Sequence, residues 1–279
     1  MPLTKPSGGI EELVDAGSGK EIVATPVVVD RFEDLRSKYE YFLGLWHGER
    51  EWAKDHVQEI VLPCDINIFL QQTREFENHA NYNHNTGYFI SQLVQNSYHA
   101  GNNEFELDMS PLKSIDNLVS KLSGTEKRMV RMVIKGEAGN WCGFGAQHST
   151  FTIQRAEHNC GGGAKNSTFT IEEVENWCGF QAENSTFTIG KAGSWCGTNT
   201  YHSIFTIEKA VDQCGQYARK STFTIGKARD GSGSEAKEST FKTNSPLQYK
   251  KFKESVPQNN GNTIYLLSDT GSTLKGGPW

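Results

Sequence analysis

The sequence lacks any run of 18 or more apolar residues, so it offers no candidate membrane-spanning helix. It also lacks a dense block of Lys and Arg. The net charge is −5 with the basic residues dispersed, which argues against a nucleic-acid partner, because neutralising phosphates needs a concentrated basic face. The opening stretch, MPLTKPSGGIEELVDAGSGKEIVATP, is polar and contains no apolar core of the length a secretory signal requires; a cytoplasmic location is expected. No C-x-x-C pair supplies zinc-ligand spacing. No nucleophile, acid–base pair or metal set converges in the pattern, so no catalytic residue, metal or cofactor is expected. With 36% hydrophobic residues the chain as a whole is nonetheless able to build a core.

What the sequence does have is a tandem array with a step of 18 residues. Five full copies follow one another without insertion: WCGFGAQHSTFTIQRAEH from Trp141, NCGGGAKNSTFTIEEVEN from Asn159, WCGFQAENSTFTIGKAGS from Trp177, WCGTNTYHSIFTIEKAVD from Trp195 and QCGQYARKSTFTIGKARD from Gln213. A decayed sixth, GSGSEAKESTFKT, begins at Gly231. A helical-hairpin repeat needs roughly 34 residues, so a unit of this length reads as one coil of a parallel β-helix. In the S-T-F-T-I stretch, alternation puts Phe151, Ile153 and their equivalents inside. It puts the flanking threonines outside, with Ser149 and its equivalents inward near a corner. Cys142, Ala146, Ala156 and their equivalents line the remaining walls, and the glycine after each Cys marks a corner where φ is positive. One coil has no core; coils stacked about 4.8 Å apart bury one another, and six would form a rod roughly 29 Å long.

Segments such as Ile189-Gly-Lys-Ala-Gly-Ser-Trp-Cys-Gly and Gly136-Glu-Ala-Gly-Asn-Trp-Cys-Gly resemble the G-x-A-G-x-x-x-G coils of a known right-handed β-helix. That β-helix occurs in the C-terminal domain of the glutamate synthase large subunit and in the β-helical chain of formylmethanofuran dehydrogenase. The resemblance covers the array alone, and Gln154, Glu172 and Glu208 replace the first glycine in three coils. It implies a structural β-helix, with any redox or amidotransfer chemistry carried by another chain or domain.

The expected class is therefore α+β: about six solenoid coils preceded by a mainly helical cap. The expected divisions are residues 1–26 as a tail, 27–125 as the cap, 126–246 as the solenoid, and 247–279 as a C-terminal strand and tail. Phe32, Leu35, Tyr39, Phe42 and Leu43 lie at a helical period, further helices are expected over Ile66–Glu77 and Tyr88–Tyr98, and Pro111–Leu122 reads as an amphipathic helix stopped at Gly124. The first coil's strand is expected at Met129–Lys135, and Thr263-Ile-Tyr-Leu-Leu is expected to add a strand to the last coil.

The candidate surfaces are two. Thr150/Thr152, Thr168/Thr170, Thr186/Thr188, Thr206 beside Ile204, and Thr222/Thr224 form a two-column grid. Such Thr-x-Thr arrays are similar to the ice-binding faces of insect and bacterial antifreeze proteins, although threonine ladders also stabilise exposed sheets. Trp141, Trp177 and Trp195 form an outward aromatic stripe, which the helical region is expected to fold back over; left open, it would suit docking or sugar stacking. The Cys column reads as packing. Three weaker signals remain: the Glu75, Glu77, His79, His84 and His99 cluster as metal or acid–base residues; Asp269-Thr270-Gly271-Ser272, which looks like an aspartic-protease tetrapeptide; and the small Lys250-Lys251-Phe252-Lys253 run. The expectation is a non-catalytic interaction or assembly protein with a protein partner or self-association, without nucleic acid or membrane. The alternatives are a structural subunit of a larger enzyme or a ligand-binding face.

Overall fold

The computed structural model describes residues 32–46, 50–229, 231–267 and 273–274. Among the described residues four helices come first: α1 (Glu33–Gly44), α2 (Arg50–His56), α3 (Pro63–Gln72) and α4 (Tyr82–His99). A single sheet of ten strands follows in sequence order. These are β1 (Glu104–Asp108), β2 (Val130–Ala138), β3 (Ser149–Ala156), β4 (Thr168–Val174), β5 (Thr186–Ala192), β6 (Ile204–Ala210), β7 (Thr222–Lys227), β8 (Thr240–Thr243), β9 (Thr263–Leu267) and β10 (Thr273–Leu274). A short helix, α5 (Pro246–Ser255), lies between β8 and β9. Pairing is parallel from β1 to β9, and only β10 joins antiparallel. This is a β-solenoid of about six turns.

The 18-residue step becomes strict register. Thr168 pairs with Thr186, Phe169 with Phe187 and Ile171 with Ile189, and the same columns continue through β7. Phe151, Phe169, Phe187, Phe205, Phe223 and Phe241 are wholly buried. Their rings stack with centroids 4.6 to 5.2 Å apart and planes within 9°. The inward serines form a second ladder: the Ser167 amide donates to the Ser185 Oγ at 3.2 Å, and the Ser185 Oγ donates to the carbonyl of Glu183 at 2.9 Å. Each polar group brought inside at this corner is thereby satisfied, as burial demands. The five repeat cysteines are buried and free.

The coil turns through left-handed corners. Positive φ occurs at the Trp141, Gly143, Gly145 and His148 columns, that is, at four places per coil. At the Gly143 column glycine is required twice over. Gly179 has φ 66°, and a Cβ there would lie 2.7 Å from Phe205 Cζ, inside the ring stack.

One expectation is overturned at the start of the stack. Pro111–Leu122 is not a helix but the corner of an additional coil. Asn117, Val119 and Lys121 take positive φ, as Trp141, Gly143 and Gly145 do one coil later. The Gly143 amide donates to Leu118 and the Gln147 amide to Leu122, in the way Gly161 and Lys165 bond to Cys142 and Ala146. Leu118 and Leu122 are thus the counterparts of Cys142 and Ala146. Inward positions in this corner are four residues apart, the same spacing as one face of a helix, so periodicity alone could not separate the two. The stack correspondingly begins at β1, one strand before the expected start near Met129. Gly124, expected as a helix stop, sits against the His148 carbonyl.

The helices close the first coil. Phe32, Leu35, Tyr39, Phe42 and Leu43 are all buried, as their period indicated. The Cα of Gly87 in α4 lies flush on the backbone of Asp116, with no room for a Cβ. Amide side chains satisfy the exposed strand edge: Gln71 donates to the Asp108 carbonyl at 2.7 Å, and Asn67 accepts from the Asp108 amide at 2.9 Å. Gln95 accepts from the Ser123 amide at 2.8 Å. The backbone of Asp108, at the end of β1, is thereby closed to pairing with another chain. At the other end β9 adds the expected strand, and α5, which sequence did not reveal, sets the buried Phe252 against Phe241 at 5.5 Å.

Candidate functional site

The threonine grid is built as its spacing predicts. Thr150, Thr168 and Thr186 share one register column and Thr152, Thr170 and Thr188 the next, with Thr206, Thr222 and Thr224 extending both past Ile204. The columns are not equally open. Thr152, Thr170, Thr188 and Thr206 are exposed, whereas Thr150, Thr168, Thr186 and Thr222 are half-buried nearer the corner, and Thr224 is half-buried as well. Ile204 is 49% exposed, an apolar side chain standing in a polar column. A shallow groove runs down the second column past Gly190 and Gly226 to Leu267.

The tryptophans divide. Trp177 and Trp195 stack on each other at 4.8 Å and 17°, and Phe180 packs edge-on to Trp177 at 5.6 Å. Trp141 stands apart because Asn159 interrupts the column; it is 40% exposed and meets Phe144 edge-on at 5.0 Å. The covering of this stripe by the helical region is met beside Trp141, where His84 and Tyr88 of α4 share a hollow with it. The helices otherwise sit on the end of the stack.

A side-chain ladder that the repeat alignment did not bring out runs inside the turn before the tryptophans. Asp116 accepts from the Asn140 amide at 2.8 Å, and Asn176 accepts from the Ser194 amide at 2.7 Å. His158 Nδ1 accepts from the Asn176 amide at 3.3 Å. Recurrence of Asn, His and Asn at 18-residue intervals was the available signal.

The remaining candidates do not converge. Glu75 pairs with Arg36 at 3.0 Å, Glu77 accepts from the Lys113 amide at 2.9 Å, and His79 accepts from the Asn81 amide at 3.3 Å. His84 contacts Asn117 and His99 contacts Gln95. Glu75 lies in a 3-10 helix at Thr73–Phe76 and His79 follows in irregular backbone, so the two share no helical face. Among the described residues no group of His, Cys, Asp or Glu is arranged to hold a metal. No helix among them is long and apolar enough to cross a membrane. The five repeat cysteines are wholly buried between the coils, which keeps reagents away from their thiols. Asp269-Thr270-Gly271-Ser272 lies outside the described residues. The lysine run belongs to α5: Lys251 donates to the Ala228 and Arg229 carbonyls and so helps seat the helix on the last coil.

Comparison with known protein families, curated proteins and solved structures yields no match. The β-solenoid architecture is thus established by the structure, while a relationship to glutamate synthase or formylmethanofuran dehydrogenase gains no support.

Proposed function

We propose that this chain is a non-catalytic scaffold whose flat threonine face docks a protein partner or another copy of the chain. The observation that carries this reading is the in-register face of β3–β7, a stiff plane of Thr columns with one exposed Ile204 at its centre. Rigid faces bind with little ordering cost, since the side chains are already held by their ladder neighbours. Affinity purification from native lysate, with mass spectrometry and sizing of the assembly, tests it. A stoichiometric partner or defined oligomer that disappears in Thr188→Lys/Thr206→Lys supports the docking role. Turnover by the isolated chain, removed by a single substitution, would overturn it. A co-purifying chain with cofactor motifs would make this protein the structural subunit of a larger enzyme.

The regular two-column grid also favours ice binding, because its spacings of roughly 6.7 Å and 4.8 Å repeat over several coils. Thermal hysteresis is the measurement; activity indifferent to Thr186→Val would rule this face out.

A further inference from the structure

The hollow beside Trp141 is a construction of the first two coils and stands independently of the threonine face. By hydrogen-bond register Asn117 and Ser120 occupy the positions held one coil later by Trp141 and Phe144: the Lys121 amide donates to the Phe144 carbonyl, as the Gly145 amide does to Gly162. Two small polar residues therefore underlie two aromatic ones. Farther along this column aromatic meets aromatic where Trp177 stacks on Trp195. Here the stack has a step, and α4 roofs it with Tyr88, leaving a hollow of about 330 Å³. That volume lies at the small end of the range of small-molecule sites.

The walls differ in chemistry. On one side are the rings of Trp141, Phe144 and Tyr88; Phe144 is backed by Gly162, where a Cβ would lie only 3.0 Å from the ring. On the other are Asp116, Asn117 and Ser120. Asp116 commits Oδ1 to Asn140, through the amide at 2.8 Å and the side-chain nitrogen at 3.0 Å. Asn117, 8% exposed, is fixed by a 3.1 Å contact between its Nδ2 and His84 Nδ1. Ser120 is 3% exposed, and its Oγ has no hydrogen-bond partner within the protein. A buried hydroxyl left without a partner is unfavourable, and a ligand hydroxyl that pairs with it relieves that penalty. This Oγ lies just beneath the surface of the hollow, so a ligand reaches it by a turn of the Ser120 side chain between rotamers.

We infer that this hollow is a binding site for a neutral polyhydroxylated ligand, a mono- or disaccharide. A sugar ring offers an apolar C–H face for Trp141 and a rim of hydroxyls that both donate and accept, matching Asp116, Asn117 and Ser120. The Asp116 carboxylate and the Lys121 ammonium both line the hollow, so their charges balance and a neutral ligand suits it better than an anion. A wholly apolar ligand would leave the Ser120 and Asp116 oxygens dry.

The test is isothermal titration of the full-length chain with glucose, galactose, mannose, N-acetylglucosamine, cellobiose and maltose, with Trp fluorescence as a second readout. The expected result is saturable binding of at least one sugar, weakened at least tenfold in Trp141→Ala and unchanged in Trp177→Ala. Ser120→Phe, which fills the step with the side chain that Phe144 and Phe180 supply at this place in their own coils, is expected to abolish binding while circular dichroism and melting temperature show the fold intact. Ser120→Ala removes only the orphaned hydroxyl, so it is expected to weaken binding without lowering stability. No binding of any of the six sugars at 50 mM or so, or binding equal in wild type and Trp141→Ala, overturns the proposal. So does a preference for inorganic phosphate.

Discussion

At the scale of the residue, two kinds of position share the left-handed corners, and they respond oppositely to substitution. Gly179 turns where an added Cβ would run into the Phe187 and Phe205 rings. Gly179→Ala combines a left-handed penalty of about 1–2 kcal/mol with overpacking of about 1–3 kcal/mol. Urea unfolding is expected to register a loss of roughly 2–5 kcal/mol, and a change under 1 kcal/mol would refute the packing argument. Lys220 turns the outer corner with φ 50°, where Asn166 and Asn184 stand in the same column at 50° and 49°. Asparagine tolerates this conformation better, and the Lys220–Glu238 pair at 3.9 Å is exposed and contributes little. Lys220→Asn is therefore expected to raise the melting temperature slightly, for a gain of about 0.5–1 kcal/mol.

At the scale of the element, the helical cap owes its fit to buried hydroxyls as well as to apolar faces. Tyr39 bonds Thr86 at 2.7 Å and Tyr82 bonds Thr73 at 3.0 Å, both inside the cap core. Burial pushes the Tyr82 phenol up to about 12 from 10.0, and Tyr39 is raised further. A phenol whose folded pKa is raised favours the folded state while it stays neutral, and that contribution is lost once the unfolded chain ionises. The cap is expected to hold its stability below pH 10 and to lose it between about 10 and 12. Tyr82→Phe should flatten this alkaline decline, as followed by helical ellipticity against pH; an unaltered slope would assign the decline elsewhere. The cap also marks what spacing alone could not decide. The buried face of α1 was legible from Phe32 to Leu43, whereas Leu118 and Leu122, with the same spacing, belong to a coil because Asn117, Val119 and Lys121 turn left-handed.

At the scale of the whole molecule, one hydrophobic cluster runs without a break from Phe32 in the cap to Ile264 in β9. The coils cannot expose their cysteines singly, since each thiol is sandwiched between neighbouring coils. Of the six thiols only Cys64 is exposed. Titration with a thiol reagent is expected to find one fast-reacting group in the native chain and six in denaturant, the other five appearing together as the stack unfolds. Early reaction of Cys214 alone would indicate that the last coils open independently.

The 18-residue step by itself determined the solenoid, the inward Phe, Ile, Ser and Cys columns and the outward threonines, because a repeat this short leaves each residue only one environment, copied from coil to coil. Thr263–Leu267 was legible for the same reason, as one more strand that β alternation lays on the last turn. The additional coil at Asn117–Leu122, the amide plugs Asn67 and Gln71, and the hollow beneath Trp141 were decided only by tertiary structure. Their sequences carry no repeat, and their conformations are set by what stacks above and below them: a coil on one side and a helix on the other.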